Sequence, residues 1–341
     1  MLLRNRIVTT IVIAFVVLAI SAAAYYIFFH QSATLPRALL LYTNYQSPET
    51  ITNWIIDTDT GKRWEVGKGL AAWHWSPSGE HLVFHSLSPL PRQIWVSDFD
   101  GKNLHKVLDN QDYPELEIKN FEWLSDELII VNVVSKAENS GLMYLLHVDT
   151  RLFERLRVGN FLSVSPNGNF WIQWTGRYEL AGLDVKTIPL PDYLNDYYFS
   201  PAGDEIAYSC AGKYRFSSLC VVEVNMLGFT NNHKVVENAF LNAYGETLWS
   251  QDGKHVGFLY YSEEHSETRF RAINVSSGKT VYDWAFSTKD TRIFWSPRGD
   301  KIIDWDGLLL DLKTGQVSNF FAEIGETTPS YIVDWRLIEM P

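Results

Sequence analysis

The sequence has 341 residues, of which 46% are hydrophobic and 14% aromatic, and its formal net charge at pH 7 is −11. This apolar content is sufficient for a large core, and the acidic charge disfavours nucleic acid as a partner because phosphates need a basic face. The two cysteines, Cys210 and Cys220, fit neither a zinc site nor a disulfide-rich scaffold. We therefore expect no metal, no cofactor and no nucleic-acid partner.

The first predicted element is an apolar segment near the N-terminus. Residues 7–29 contain no charged residue and follow a short stretch that carries Arg4 and Arg6. At about 1.5 Å per residue, a helix of this length reaches about 34 Å, enough to cross a hydrocarbon core of about 30 Å. The sequence thus predicts a cytoplasmic segment 1–6, a transmembrane signal-anchor helix 7–29 and a short tether 30–36.

The charges that flank this segment predict its orientation. Basic residues precede it and only Arg37 lies close behind it, so the positive-inside rule leaves the N-terminus cytoplasmic and the rest of the chain extracytoplasmic, either periplasmic or extracellular. A cleaved signal peptide is the alternative, because residues 21–24 (SAAA) resemble a cleavage site. Residues 25–29 (YYIFF) continue the apolar run and favour an uncleaved anchor.

From residue 37 onward, a corner pattern recurs. An apolar run ends in an aromatic or aliphatic residue, a Ser-Pro-x-Gly corner follows, and a second apolar run begins, as in residues 292–303 (RIFWSPRGDKII). Full or altered corners occur at residues 76–79, 165–168, 200–203, 250–253 and 296–299, with a shortened copy at 123–126. The spacing of 35 to 50 residues between corners is typical of four-stranded propeller blades.

A second pattern is an apolar strand that ends at Asp or Asn and enters a turn. Its seven copies end at Asp57, Asp98, Asp149, Asp184, Asn225, Asn274 and Asp311. Asp and Asn side chains at such positions hydrogen-bond the backbone two residues further on, and glycine accepts the positive φ that the turn needs. We therefore interpret these carboxylates as turn formers, not as a ring of metal ligands.

Together the two patterns predict an all-β fold. In each blade, strand A ends at the corner, strand B follows it, strand C ends at the Asp or Asn, and strand D completes the sheet; the blades then stack into a closed ring. The first strand-C copy, at Trp54, has no corner before it, and residues 331–335 form a strand-A copy with nothing after it. We therefore predict a seven-bladed β-propeller over residues 37–341, closed by the C-terminal strand, whose shared blade takes its other strands from residues 37–66.

The corner, the apolar strand after it and the Asp-x-x-Gly turn resemble the WD40-like repeats of TolB-type propellers. They are also similar to the propeller that precedes the catalytic domain in prolyl oligopeptidase and dipeptidyl-peptidase relatives. This resemblance implies a fold and not a function, because one fold hosts many activities. The sequence ends at Pro341, just after the closing strand, and contains no Gly-x-Ser-x-Gly elbow, so we expect no hydrolase domain.

No catalytic set stands out in the sequence. The nine histidines lack the close pairs of a metal site, and we interpret each as a surface or core residue. The most acidic loop, residues 109–117, is either a solvated surface loop or a contact for a cationic partner or Ca²⁺. Its candidate partner-binding residues are Asp109, Asp112, Tyr113, Glu115 and Glu117.

The lengths of the connections predict the binding face. The A–B and C–D turns are short, whereas the B–C and D–A connections vary. Residues 135–141, 211–217 and 262–268 are expected to be long loops, and residues 175–176 and 306–307 to be tight hairpins. Because loops carry the non-repeating residues that recognition needs, a protein or small-molecule partner is predicted on the face that holds the B–C and D–A connections.

Cys210 and Cys220 are predicted to form a disulfide between strands B and C of one blade. Pairing these two residues directly also places Tyr208 opposite Val222, which gives one apolar side. Directly opposed residues have Cα atoms about 4.5 to 5.5 Å apart, inside the range that a disulfide accepts. Two unrelated thiols are the alternative; a disulfide would support the extracytoplasmic placement, since such bonds persist in oxidising compartments.

The function predicted from these patterns is that of a membrane-anchored extracytoplasmic propeller, a binding scaffold for a protein or another ligand. The alternative is a propeller enzyme of the glycosidase, lactonase or cyclase type with its site at the axial channel. A cluster of Asp, Glu, His or Arg at a channel mouth favours the enzyme, and an apolar or aromatic mouth favours binding.

Overall fold

The computed structural model describes residues 36–338 with gaps at 46, 48–49, 88–92, 184–186, 191–196, 211–217, 226–227, 238–242 and 289–291. One compact unit covers Ala38–Ile338, and the other, Met1–Arg37 with Glu339–Pro341, lies almost wholly outside the described residues. The predicted cytoplasmic segment 1–6 and anchor 7–29 therefore lie outside them too. Within the described part of the chain, no helix has both the length and the apolar character needed to cross a membrane.

The described strands form seven four-stranded antiparallel sheets, which confirms the predicted seven-bladed propeller. Blade 1 contains, in spatial order, β28 (Ser330–Ile338), β1 (Arg37–Asn44), β2 (Thr52–Asp57) and β3 (Arg63–Val66). Blade 2 contains β4 (Ala71–Trp75), β5 (His81–His85), β6 (Gln93–Asp98) and β7 (His105–Asp109). Blade 3 contains β8 (Leu116–Trp123), β9 (Leu128–Ser135), β10 (Ser140–His147) and β11 (Phe153–Val158).

The other four sheets follow in chain order. Blade 4 contains β12 (Asn160–Val164), β13 (Trp171–Trp174), β14 (Tyr178–Ala181) and β15 (Ile188–Pro189). Blade 5 contains β16 (Tyr197–Phe199), β17 (Glu205–Cys210), β18 (Ser218–Asn225) and β19 (Gly228–Val236). Blade 6 contains β20 (Ala243–Trp249), β21 (His255–Ser262), β22 (Glu267–Asn274) and β23 (Thr280–Ala285). Blade 7 contains β24 (Ile293–Trp295), β25 (Lys301–Asp304), β26 (Leu308–Asp311) and β27 (Val317–Asn319), followed by the helical turn α1 (Phe320–Glu323).

The serine of each corner has a structural role that its burial explains. The Ser165 hydroxyl accepts a hydrogen bond from the backbone N–H of Phe170 at 3.0 Å, and Ser296 does the same for Lys301 at 2.9 Å. Both serines are only 2% exposed, and a buried hydroxyl is stable only when it is hydrogen-bonded. The hydroxyl therefore bridges the corner between strands A and B, which is why serine recurs there.

The glycine that ends each corner adopts positive φ. Two corners together separate the energetic cost of this backbone conformation in a non-glycine residue from the cost of a steric clash. Gly168 and Gly253 both have φ of +68°, but a Cβ on Gly168 would lie 1.4 Å from the carbonyl oxygen of Leu124, whereas one on Gly253 would meet nothing within 4 Å. We expect Gly253→Ala to lower the free energy of unfolding by about 1–2 kcal/mol, the cost of a left-handed residue. Gly168→Ala should cost about 1–3 kcal/mol more, because the backbone must also move. Denaturant titration of both variants measures the difference, and equal losses would contradict it.

Large aromatic residues at the ends of the A strands pack between blades. Trp75 is fully buried, and Trp123 and Trp249 are 3% and 6% exposed. The indole N–H of Trp123 donates to the backbone oxygen of His74 in the preceding blade at 3.3 Å, and that of Trp249 donates to Tyr198 at 2.8 Å. These side chains therefore join neighbouring blades by burial and by a hydrogen bond.

Two of the predicted long loops, 135–141 and 262–268, are tight hairpins, so that prediction was wrong. The strands extend further than the polar residues suggested, and only four residues connect them in each case. The last connecting residue has positive φ in both hairpins, with Asn139 at 48° and Ser266 at 54°, a conformation that closes short four-residue loops. The third predicted loop, 211–217, lies outside the described residues.

The predicted register of the two cysteines was wrong by two residues. Tyr208 pairs with Cys220 and Cys210 pairs with Ser218. A slip of two residues keeps every side chain on its own face, so the apolar pattern used for the prediction fits both registers equally well. Cys210 and Cys220 consequently lie on the same face as diagonal neighbours, with Cα atoms 5.6 Å apart and their sulfur atoms in contact.

Candidate functional site

The A strands surround the axial channel of the propeller. Neighbouring blades contact each other through these strands, as between β28 and β4, β12 and β16, and β20 and β24. Each A strand begins on the face of the B–C and D–A connections, here called the loop face, and ends at the face of the corners, called the corner face. Side chains that leave the A strands toward the axis therefore form the wall of the channel.

Register shifts interrupt several of the described A strands, among them β4 and β12. In β4 the register shifts between Ala72 and Trp75, and in β12 it shifts between Phe161 and Ser163. A β-bulge bends its strand and changes the direction of the extra residue. Trp73 and Leu162 lie within these irregular stretches, line cavities of the channel, and are 37% and 51% exposed.

One position of the A strand, the residue before the aromatic or aliphatic residue near its end, is ionisable in three blades. Asp334, His74 and Glu122 occupy this position in blades 1, 2 and 3. The remaining blades place Ser163, Tyr198, Leu248 and Phe294 there. The ring therefore has a charged arc over three successive blades and a mainly apolar arc over the others.

His74 connects the two carboxylates of this arc. Its Nδ1 lies 3.5 Å from Oδ2 of Asp334, and its Nε2 lies 3.8 Å from Oε2 of Glu122. Burial is the largest single influence on the pKa of His74 and lowers it, but Glu122 and Asp334 together outweigh burial, so that the pKa is raised. The two acidic neighbours therefore favour the imidazolium form of His74.

Asp334 is the most strongly held carboxylate of the cluster. It is 8% exposed, and its Oδ2 accepts hydrogen bonds from Nε of Arg336 at 2.9 Å and from the backbone N–H of Trp75 at 3.4 Å. Burial raises the pKa of Asp334, but the positive charge of Arg336 and the bonds from His74 and Trp75 prevail and lower it to about 2. Asp334 is therefore ionised at neutral pH and ties the C-terminal strand to blade 2.

Two cavities adjoin this cluster, and both are lined by Trp73 and His74. The first, with a volume of about 570 Å³, includes Tyr45 and Leu87 of B–C connections and therefore belongs to the loop face; we call it the loop-side cavity. Its other aromatic side chains are Phe294, Trp305 and Tyr331. The second, of about 580 Å³, includes Pro77 and Pro166 of the corners; we call it the corner-side cavity. Glu122 and Arg336 line only the second.

The acidic loop predicted as a partner-binding site lies away from both cavities. It forms the D–A connection between β7 and β8 and contains a 3-10 turn at Asn110–Asp112. Asp109 accepts hydrogen bonds from the ammonium group of Lys106 at 2.6 Å and from the backbone N–H of Gln111 at 3.0 Å, and these bonds lower its pKa. Tyr113 packs its ring 4.9 Å from that of Phe153.

The other members of that loop, Asp112, Glu115 and Glu117, are exposed. None of the five predicted partner-binding residues lines either cavity. A contact between this loop and a partner therefore stays a prediction, separate from the channel.

Two of the carboxylates interpreted as turn formers, Asp57 and Asp311, hydrogen-bond the backbone of their turns. Asp57 accepts hydrogen bonds from the backbone N–H groups of Asp59 at 3.0 Å and Thr60 at 3.1 Å, and Asp311 accepts equivalent bonds. Asp184 lies outside the described residues. Over the described ranges, no three His, Cys, Asp or Glu side chains are grouped so that they could hold a metal ion.

His74 belongs to no close histidine pair, so the sequence predicts only a surface or core residue at this position. A usable signal existed in the alignment of the repeats. The residue before the end of strand A varies from charged to apolar, whereas the residue after it is Trp, Phe or Val in every copy. A position whose residue type varies inside an otherwise regular repeat is a candidate functional position.

No model of a protein family matches the sequence, and the search of curated proteins also gave no match. Among solved structures, the chain is similar to a putative 6-phosphogluconolactonase from Bacteroides fragilis NCTC 9343, with 11% identity over 90% of this chain and 99% of that chain and a TM-score of 0.53. An oligogalacturonate lyase from Vibrio parahaemolyticus has 10% identity over 79% and 84%, with a TM-score of 0.55. A prolyl endopeptidase has 11% identity over 84% and 49%, with a TM-score of 0.53. These similarities confirm the propeller resemblance and show the fold alone.

Proposed function

We propose that this propeller is a binding module that takes a small ligand into the loop-side cavity. The observation that carries the proposal is Trp73, a large aromatic residue that is 37% exposed inside a cavity of about 570 Å³. Ligand pockets typically have volumes of about 300–1,000 Å³ and aromatic walls with a few polar groups. The position of the cavity on the loop face also agrees with the face expected to hold the partner.

An uncharged fluorescent probe, N-phenyl-1-naphthylamine, tests this proposal. Its emission rises in apolar surroundings, and we expect saturable binding by the protein. Trp73→Ala should weaken the binding at least tenfold, because aromatic contacts supply much of the affinity of such sites. Trp174→Ala is the matched control, since Trp174 is 42% exposed and lines neither cavity. Absence of saturable binding, or equal weakening by both variants, would reject the proposal.

A propeller enzyme with its site in the channel is the second candidate. It is favoured by His74, whose two ring nitrogens face the carboxylates of Asp334 and Glu122. A histidine with a raised pKa inside a cavity is a candidate proton donor. The putative lactonase and the lyase that share the fold fit this candidate. A hydrolase and lyase activity screen in which wild type is active and Glu122→Gln is not would favour it over binding alone.

We also propose that residues 7–29 anchor the propeller outside the cytoplasm and that Cys210 and Cys220 form a disulfide there. The apolar length of the segment supports the anchor, and the Cα separation of 5.6 Å supports the bond. Mass analysis after alkylation, on protein purified without reductant, tests the disulfide, and separation of membrane and soluble fractions tests the anchor. Two alkylated thiols would exclude the disulfide, and recovery of the chain in the soluble fraction would exclude the anchor.

A further inference from the structure

We infer that the corner-side cavity is a second binding site, which holds a small organic cation, such as an alkylated ammonium group, beside the carboxylate of Glu122. The inference does not depend on the ligand proposed for the loop-side cavity, because Glu122 lines the corner-side cavity and not the other one. It follows from the contacts of Glu122, from the pairing of the other charges and from the aromatic walls around them.

The carboxylate of Glu122 has one oxygen without a hydrogen bond in the described part of the chain. Its Oε1 accepts the backbone N–H of Trp123 at 3.1 Å, whereas its Oε2 lies 3.8 Å from Nε2 of His74, which is beyond hydrogen-bond distance. No lysine or arginine pairs with this carboxylate among the described residues, and the side chain, which lines the cavity, is 28% exposed. A cation bound in the cavity can therefore approach Oε2.

The other permanent charges near Glu122 are already paired with each other. Nε of Arg336 lies 2.9 Å from Oδ2 of Asp334, and Nη1 of Arg336 donates to the backbone oxygen of Ser76 at 3.2 Å. The titratable side chains that line the cavity are His74, Glu122, Tyr197, Tyr198 and Arg336. Because tyrosine is ordinarily uncharged at pH 7, the charge of Glu122 is balanced only when His74 carries a proton. A bound organic cation can supply the same balance.

Aromatic rings line the space beside Glu122. Trp73 is 37% exposed, and its ring centroid lies 5.8 Å from that of Phe121, the residue that precedes Glu122. Tyr197 and Tyr198 line the same cavity from the A strand of blade 5. The face of an aromatic ring attracts a cation, most strongly for tryptophan, and the attraction grows when water is excluded. A cavity of about 580 Å³ with such walls and one carboxylate is therefore suited to an alkylated ammonium group.

The proton of His74 should compete with this ligand. The charged groups that face His74 from the flanking blades are Glu122, Asp334 and Arg336. The histidines of the adjacent strand β5 contact aromatic rings, His81 that of Trp123 and His85 that of Trp73. A cation beside Glu122 repels an imidazolium at the same carboxylate, so ligand binding and protonation of His74 oppose each other. The affinity for the cation should therefore rise as the pH rises through the pKa of His74.

Choline and 3,3-dimethylbutan-1-ol test the inference, because they have the same shape and only choline carries a positive charge. Isothermal titration calorimetry at about pH 8 measures both affinities, and we expect wild type to bind choline about tenfold or more tightly than the alcohol. Glu122→Gln keeps the size of the side chain and removes its charge, so it should abolish this preference. Glu127→Gln is the matched control and should keep it, because Glu127 is exposed in the corner that follows and does not line the cavity.

A pH series on wild type and His74→Gln tests the competition, since the charge of choline does not change with pH. Between about pH 6 and about pH 9, the affinity of wild type should rise by up to about tenfold per pH unit below the pKa of His74, because one proton is displaced. The affinity of His74→Gln should not vary with pH. No binding of choline, equal affinity for the two probes, a preference that persists in Glu122→Gln, or a pH-independent affinity in wild type would each overturn the inference. Binding of N-phenyl-1-naphthylamine tests the loop-side cavity separately from these results.

Discussion

A chain that ends at Ser330 should not form a monodisperse, cooperatively melting propeller. The truncation removes nearly all of β28, the A strand of blade 1, and with it Ile332, Trp335 and Ile338, which are 0%, 7% and 1% exposed. Loss of one buried Ile or Trp side chain costs about 2–5 kcal/mol. Three such losses approach or exceed the whole stability of a typical domain, about 5–15 kcal/mol. The edge of β1 would also become free to pair with other chains.

Size-exclusion chromatography and thermal unfolding measure this effect. A chain that ends at Ile338 is the matched control, because it keeps all of β28 and removes only residues 339–341. We expect the control to behave as wild type and the shorter chain to aggregate. Unchanged melting and a single monomeric peak for the shorter chain would show that β28 does not close the ring.

The number of blades could be predicted because each blade carries its own local signal. Ser165 and Gly168, for example, form a corner through a local hydrogen bond and a positive φ, both of which involve only residues of the corner itself. Turn chemistry depends on a few neighbouring residues, and those residues are visible in the sequence. The same signal recurs along the sequence, because every blade needs similar turns between its strands.

The channel cluster could not be predicted in this way, because closure of the ring creates it. His74 and Asp334 are far apart in the sequence and meet only when β28 joins blade 1 beside blade 2. The raised pKa of His74 depends on Asp334 and Glu122, which come from the two flanking blades. No local pattern contains that information, so the sequence predicts only a surface or core role for His74.

The register of Cys210 shows a second limit. Alternation of apolar residues determines which face a side chain occupies, and this part of the cysteine prediction agrees with the structure. It does not determine which residue lies opposite, because slips of two residues preserve the pattern. The hydrogen bonds of the strands resolve this ambiguity and pair Cys210 with Ser218.

Replacement of Asp334 by alanine should lower the free energy of unfolding by about 3–5 kcal/mol, the usual cost of breaking a buried ion pair from one side. Arg336 and His74 would then lose the carboxylate that both contact in the channel wall. Asp59→Ala is the matched control, because Asp59 also pairs with an arginine, Arg298, but at the surface. A surface pair of this kind contributes about 0–1 kcal/mol. Denaturant titration at pH 7 compares the two variants.

The pH dependence of the free energy of unfolding independently tests the pairing of Asp334 with Arg336 and His74. The pKa of Asp334 is lowered to about 2, below the ordinary value near 3.8, so its contribution is present above about pH 4 and is lost as the pH falls toward 2. The pKa of His74 is raised, so its contribution is full below the ordinary value of about 6.5 and is lost as the pH rises through the folded-state pKa. Asp334→Ala should flatten the acid limb and, by removing one acidic neighbour, lower the pKa of His74 measured by NMR titration. If the stability at acid pH and the pKa of His74 both stay unchanged in this variant, Asp334 does not stabilise the cluster. The proposed connection between the closing strand β28 and the channel would then be wrong.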